Sequence, residues 1–169
     1  EECGFDRVWT EENDRDGMLP LPLVADRTTD IELGPRVTIA FVQSPMKLAY
    51  MAWDLARFSD GRFVLGIGTQ VKGHITRRFS GDWESPGPRL REVVESLQAI
   101  FDVFQGRTDS LEYEGEFYSF SLMPDFFRPD PIEHPDIPIH LAAFNPYNLS
   151  VVGELCDGLA LHPLNTPEY

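Results

Sequence analysis

Two clusters of residues in this sequence could carry chemistry. Glu11-Glu12-Asn13-Asp14 offers carboxylates that could act as a general base or proton donor, or that could simply form an acidic surface loop. Lys72, Arg77, Arg78, Arg89 and Arg91 are five of the 14 basic side chains, gathered into 20 positions and opposed only by Asp82 and Glu84. That stretch is net +3 in a chain of formal charge −14, the local reversal that an anionic group such as a cofactor phosphate needs. The alternative is a solvated loop whose charges pair with acidic neighbours.

Gly66-Ile67-Gly68-Thr69-Gln70 has some character of a phosphate-binding loop, but no third glycine and no Lys-Ser/Thr pair follow. Its glycines could equally let neighbouring backbone approach the end of a strand. His74 and His162 fall at or after strand ends, whereas His140 lies inside a strand and reads as core. No His-x-x-x-His or Cys-x-x-Cys spacing is present, so no metal site is expected, and the absence of Gly-x-Ser-x-Gly gives no support to a serine hydrolase.

The elements that must position these groups alternate. Arg7–Thr10 is strand-like, and Leu21, Val24, Ala25 and Thr28 follow at helical spacing. Gly34-Pro35 signals a turn before a β-branched strand over Arg36–Ala40. Ser44-Pro45 reads as N-cap and first residue of a helix with Leu48, Met51, Ala52 and Leu55 inward, closed by Ser59-Asp60-Gly61. A third, largely apolar strand runs from Arg62 to Gly68, then a polar loop to about Ser85, then a helix with Leu90, Val93, Val94, Leu97, Ile100, Phe101 and Phe104 on one face.

Residues 107–136 break the pattern as an insert with a small hairpin around Glu114-Gly115-Glu116. A strand over Ile137–Ala142, a helix from Pro146 containing Leu149, Val152 and Leu155, and a strand over Gly158–His162 complete the chain. Regular alternation specifies an α/β fold with a parallel sheet, either doubly wound or a (β/α)8 barrel. A whole barrel takes ~250 residues, and only five strands are found here. In both architectures the site lies at the carboxyl ends of the strands, which selects Glu11–Asp14, Phe41–Ser44, Thr69–His74, Ala143–Pro146 and His162.

The 169 residues are 42% apolar and 25% charged, a balance that suits one globular domain over 1–169. The net charge of −14 argues against nucleic acid or an acidic membrane surface as partner. No run reaches the ~20 apolar residues of a membrane span. No signal peptide is visible, and two distant cysteines, Cys3 and Cys156, imply no disulfide framework, so the cytoplasm is the expected compartment. The chain has no initiating Met and opens on what reads as the end of a helix, so a piece of a longer protein is expected.

Several stretches together are specific. Leu55-Ala56-Arg57-Phe58-Ser59-Asp60-Gly61-Arg62-Phe63-Val64-Leu65-Gly66-Ile67-Gly68 is similar to the third-helix to fourth-strand segment of the bacterial luciferase-like monooxygenase superfamily. Gly4-Phe5-Asp6-Arg7-Val8-Trp9 resembles its entry to the second strand; Ile139–Ala143 and Val152–Gly158 resemble its fifth strand and the helix leading to the sixth. Ala40–Met46, Gly68–Lys72, His74-Ile75, Arg78-Phe79, Gly115–Tyr118 and Leu161-His162-Pro163 most resemble the coenzyme F420-dependent oxidoreductases within it.

The resemblance implies a partial (β/α)8 barrel of about strands 2 to 6, with a deazaflavin, or alternatively FMN, in the mouth. The ring would stack over a bulge in the third barrel strand whose non-proline cis peptide falls at Arg36-Val37. Cofactor-binding residues implied are Arg36, Val37, Gly68, Thr69, Gln70, Lys72, Arg78, Ala142, Ala143 and Asn145. Where many F420-dependent relatives place a histidine after the second strand, Asn13 stands here, which passes the proton step to Glu12 or Asp14; Val71 stands where some relatives have glutamate. The expected activity is hydride transfer to or from a small organic substrate, with FMN-dependent oxygenation or a non-catalytic fragment as alternatives. Two open sheet edges would make the isolated arc self-associate.

Overall fold

The computed structural model describes residues 1–161. The predicted strand over Gly158–His162 is seen as β8, Gly158–Ala160, and His162 lies outside the described residues. The strands are β1 Arg7–Thr10, β2 Glu32–Pro35, β3 Thr38–Ile39, β4 Leu65–Gly68, β5 Tyr113–Glu114, β6 Ser119–Phe120, β7 Ile139–Ala142 and β8. The α-helices are α1 Leu21–Arg27, α2 Pro45–Phe58, α3 Lys72–Arg77, α4 Pro86–Phe104 and α5 Pro146–Leu155.

β1 pairs in parallel with β2, β3 with β4, β4 with β7, and β7 with β8. A bridge between Leu33 and Phe63 ties β2 to the start of the β4 segment. β2 and β3 are thus two pieces of one strand, interrupted at the cis Arg36-Val37 peptide. Each new parallel strand is added on the same side as the last. A doubly wound sheet reverses its order at a switch point; this one does not, so the arrangement is an arc of a barrel.

Curvature gives the same answer. β1 and β7 lie three strand intervals apart, roughly 14 Å along a flat sheet, yet the Trp9 and His140 rings on them stand 5.9 Å apart between centroids. The sheet must be strongly bent, with these rings on its concave face.

The convex face carries the core. Leu33, Leu65, Ile67, Ile139 and Leu141 are buried there beneath Leu48, Ala52, Trp53 and Leu55 of α2 and the Leu90–Phe104 stripe of α4. Burying a side chain of this size contributes ~1.5–3 kcal/mol, so this aliphatic layer outweighs any single polar contact. α2 starts as its sequence dictates: Ser44 Oγ accepts the Met46 N–H at 3.2 Å and Pro45 occupies the first turn.

Three expectations need correction. Gly34-Pro35 is not a turn but the end of β2, where Pro35 needs no ladder donor; a Cβ on Gly34 would lie 2.0 Å from the Val64 carbonyl oxygen, so glycine is there for strand contact. The predicted Arg36–Ala40 strand shrinks to Thr38–Ile39 and runs into a 3-10 turn over Ala40–Val42. The polar loop after β4 contains α3. The expected helix from Pro146 is α5, in which Asn148 and Val151 are buried, Val152 and Leu155 pack against the core and Leu149 is exposed.

The insert is fastened at several points. Glu92 on α4 accepts the N–H groups of Glu116, Phe117 and Tyr118 at 2.7, 2.8 and 3.0 Å, holding the end of the β5–β6 hairpin. Further along, Trp53 Nε1 donates to the Asp130 carbonyl at 3.1 Å and the Tyr50 hydroxyl to the Phe127 carbonyl at 2.6 Å.

Candidate functional site

At the carboxyl ends of β4, β7 and β8 a pocket of about 270 Å³ opens on the concave side. Arg36, Val37, Gly68, Thr69, Gln70, Ala142 and Ala143, seven of the ten expected cofactor-binding residues, line it together with Val71, Phe144, Ala160 and Leu161. β4 delivers Gly68, β7 delivers Ala142, and the segment between β2 and β3 delivers Arg36 and Val37.

The glycines of β4 divide their work. A Cβ on Gly66 would lie 2.0 Å from the Pro35 carbonyl oxygen, so Gly66 allows strand approach. A Cβ on Gly68 would lie 2.8 Å from Val37 Cγ2 and 3.2 Å from Ala142 Cβ, so only glycine fits between these two lining residues. Beyond them Gln70 takes a left-handed φ of 59° and accepts the Thr69 hydroxyl on its carbonyl oxygen at 2.8 Å.

The other three expected residues lie outside this pocket. Lys72 opens α3 and is exposed; Arg78 lines an adjoining open hollow with Gly73, His74 and Arg77. Asn145 caps α5, its Oδ1 accepting the Asn148 N–H at 2.9 Å. The basic stretch is not one unit. Arg91 pairs with Glu95 at 2.9 Å and Glu154 at 2.8 Å. Arg89 donates to the Tyr118 hydroxyl at 3.0 Å and the Asp82 carbonyl at 2.9 Å, with its guanidinium over the Phe41 ring. Lys72, Arg77 and Arg78 pair with no carboxylate among the described residues.

The acidic cluster after β1 separates in the same way. One carboxylate oxygen of Glu12 accepts the Thr38 hydroxyl at 2.5 Å and the Ile39 N–H at 2.9 Å. Asn13 donates its amide to Glu11 at 2.7 Å and accepts Arg78 on its carbonyl oxygen. The Asp14 side chain is 88% exposed and among the described residues pairs only with Arg15, at 3.8 Å.

Two groups escaped sequence reasoning. His140, read as core, stands instead on the concave face; Gly158 leaves its ring room, since a Cβ there would lie 2.5 Å from it. Its buried Nδ1 has no partner among the described residues. Burial first, then the charges of Arg36 and Arg7, push its pKa below the ordinary value. The period-2 alternation of β7 placed His140 opposite Ile139 and Leu141 and could have revealed this. At the amino ends of the strands, Asp60, Glu133 and His134 bring ligand-type atoms within 4.8 Å of one another, all exposed. Their separation along the chain hides them from spacing rules.

Fold and pocket together define a parallel barrel of the kind whose site is built on the carboxyl ends of its strands. The family model for luciferase-like monooxygenases matches residues 1–169, and the chain belongs to that family. It is 41% identical over 169 residues to a protein of Mycobacterium tuberculosis, covering 100% of this chain and 49% of that protein. It is 34% identical over 171 residues to the 5,10-methylenetetrahydromethanopterin reductase of Archaeoglobus fulgidus, covering 100% of this chain and 48% of the reductase.

Among solved structures, the coenzyme F420-dependent tetrahydromethanopterin reductase of Methanopyrus kandleri superposes with a TM-score of 0.74 at 24% identity, over 94% of this chain and 48% of that one. The FMN-bound oxygenating constituent of 3,6-diketocamphane monooxygenase from Pseudomonas putida gives 0.68 at 19% identity, over 90% and 47%. At such identities these two likenesses speak for the fold. The chain spans about half the length of the relatives it matches.

Proposed function

We propose that the barrel to which this chain contributes is an oxidoreductase moving a hydride between coenzyme F420 and a small organic substrate. The observation that carries the reading is a pocket in which Gly68 lies against Val37 and Ala142 with no room for a side chain, followed along the chain by three cations without carboxylate partners among the described residues, Lys72, Arg77 and Arg78. A lining that a single Cβ would spoil fits a planar ring. A local excess of positive charge in a chain of −14 fits the phosphodiester and polyglutamate tail of F420. The 34% identity to the A. fulgidus reductase supports the oxidoreductase part of this assignment.

In this reading Arg36, Val37, Gly68, Thr69, Gln70, Ala142 and Ala143 hold the ring, Lys72 and Arg78 hold the anionic tail, and the start of α5 at Asn145 adds N–H groups facing negative charge. The bound cofactor supplies the hydride chemistry. The chain binds it, orients it and keeps protons in place. Of Glu12, Asn13 and Asp14, Glu12 is the carboxylate held toward β3, so the proton role falls to it; Asn13 has no titratable group and Asp14 faces solvent.

FMN is the second reading. Arg89 and Arg91 are committed within the fold, which leaves fewer cations than a long polyanion would employ, and FMN brings one phosphate. Titrating the full-length protein with each cofactor, followed by fluorescence, separates the two. Tight binding of F420 with weak binding of FMN supports the first; the reverse supports a monooxygenase. Binding of neither would leave a non-catalytic remnant.

A further inference from the structure

Arg36 is an unusual neighbour for a pocket floor. Its guanidinium carbon lies 5.3 Å from the centroid of the Trp9 ring, within cation–π range. Its Nη2 reaches the Leu159 carbonyl oxygen at 3.4 Å, a long contact across the concave face. It pairs with no carboxylate among the described residues, and the residue is only partly exposed. Next to the Trp9 ring stands His140, whose pKa is lowered by burial and by this same positive charge. The wall beneath the pocket therefore carries one fixed cation, oriented by an aromatic face and a carbonyl and not neutralised by a partner.

Hydride transfer moves charge. The donor's C–H bond breaks, its hydrogen and electron pair leave together, the donor is oxidised, and the acceptor gains one negative charge until a proton follows. A preorganised cation beside the acceptor stabilises that charge without rearranging. We propose that Arg36 is the residue that makes this pocket prefer the reduced state of its ring, one unit more negative until a proton follows, over the oxidised one. The inference rests on the cofactor reading above and adds the direction of redox bias and the side chain that sets it.

The test uses the full-length protein, wild type beside Arg36→Met and Arg36→Lys, with F420 and FMN each titrated in oxidised form and, anaerobically, in reduced form. The methionine stem keeps packing against Trp9 while removing the charge; lysine restores the charge. Arg36→Met is expected to weaken binding of the reduced form about tenfold, with a change of less than about threefold for the oxidised form, the size of a lost charge-assisted contact. Arg36→Lys should recover most of the difference. The bound cofactor's midpoint potential should fall in Arg36→Met. Equal loss for both forms, or no loss for either, overturns the assignment to Arg36 and leaves the cofactor reading standing. Should Arg36→Met not fold, a reduced-to-oxidised preference in Arg36→Lys no greater than that of free solution overturns it as well. Failure of the wild type to bind either cofactor overturns both.

Discussion

Glu12 and Thr38 are joined by a 2.5 Å hydrogen bond from the threonine hydroxyl to the carboxylate, and the Thr38 side chain is completely buried. The same carboxylate oxygen takes the Ile39 N–H at 2.9 Å. Glu12 thus pins the loop after β1 to the strand piece that follows the pocket floor. Glu12→Ala should cost about 1–3 kcal/mol, because it strands a buried hydroxyl and an N–H. Glu12→Gln keeps an acceptor and should cost less. Urea denaturation of both variants measures the difference; equal stabilities for Ala and wild type would remove the anchoring role.

Gly66 and Gly68 should respond differently to alanine. At Gly66 the new Cβ meets backbone, the Pro35 carbonyl, which cannot give way within a paired sheet, so a loss of ~3 kcal/mol or more is expected. At Gly68 it meets the Val37 methyl and Ala142, which can shift. That variant should fold but bind cofactor at least about tenfold more weakly, through overpacking of the floor worth ~1–3 kcal/mol. Melting curves with a cofactor titration distinguish the two effects.

Lys72→Ala and Arg78→Ala should each weaken cofactor binding by ~1–3 kcal/mol in the whole barrel, the range of charge-assisted hydrogen bonds. Arg57→Ala, on α2 and away from the mouth, should leave binding unchanged. Arg91→Ala breaks the pairs to Glu95 and Glu154 and should lower stability by ~1 kcal/mol or less, without touching affinity. Binding should also weaken with salt, since exposed charges are screened over ~8–10 Å. Fluorescence titration across the set decides between a binding loop and a solvated one.

His140 makes stability depend on pH with a defined sign. Its folded-state pKa is depressed below 6.5, so between the two values the unfolded chain holds more protons. Stability is complete above the ordinary histidine range and falls as pH drops through it toward the folded value. In His140→Gln that part of the slope should vanish. Subtracting the variant's melting temperature from the wild type's at pH 7.5 and again at pH 5 isolates the effect from titrating carboxylates. A pH-independent difference would refute it.

The isolated arc presents β1 and β8 as sheet edges, and unpaired N–H and C=O groups there favour pairing with another chain. The 169-residue chain alone should therefore self-associate at micromolar concentration. Sedimentation velocity provides the check, and a monodisperse monomer would count against it.

Local chemistry made α2 and α4 readable in advance. Ser44 followed by Pro45 is a cap and a first turn in any context, and Leu90 through Phe104 keep their apolar face because helical periodicity is a property of adjacent residues. The cis Arg36-Val37 peptide and the grouping of Gly68, Thr69, Ala142 and Ala143 were legible through family resemblance, not from spacing. Gly34-Pro35 misled because, by itself, the pair has every property of a turn; only β1 on one side and the Val64 carbonyl on the other make it strand. Composition likewise identified the five cations as a group. Which of them remain unpaired was decided by Glu95 and the Asp82 carbonyl nearby and by Tyr118 and Glu154 far away in the chain. The same holds for His140, whose strand alternation was local but whose inner face was set by closure of the sheet around Trp9. Capping, periodicity and turn preference act over a few residues and can be read along the chain. Pairing of charges and choice of sheet face depend on contacts between distant segments, which exist only once the chain has folded.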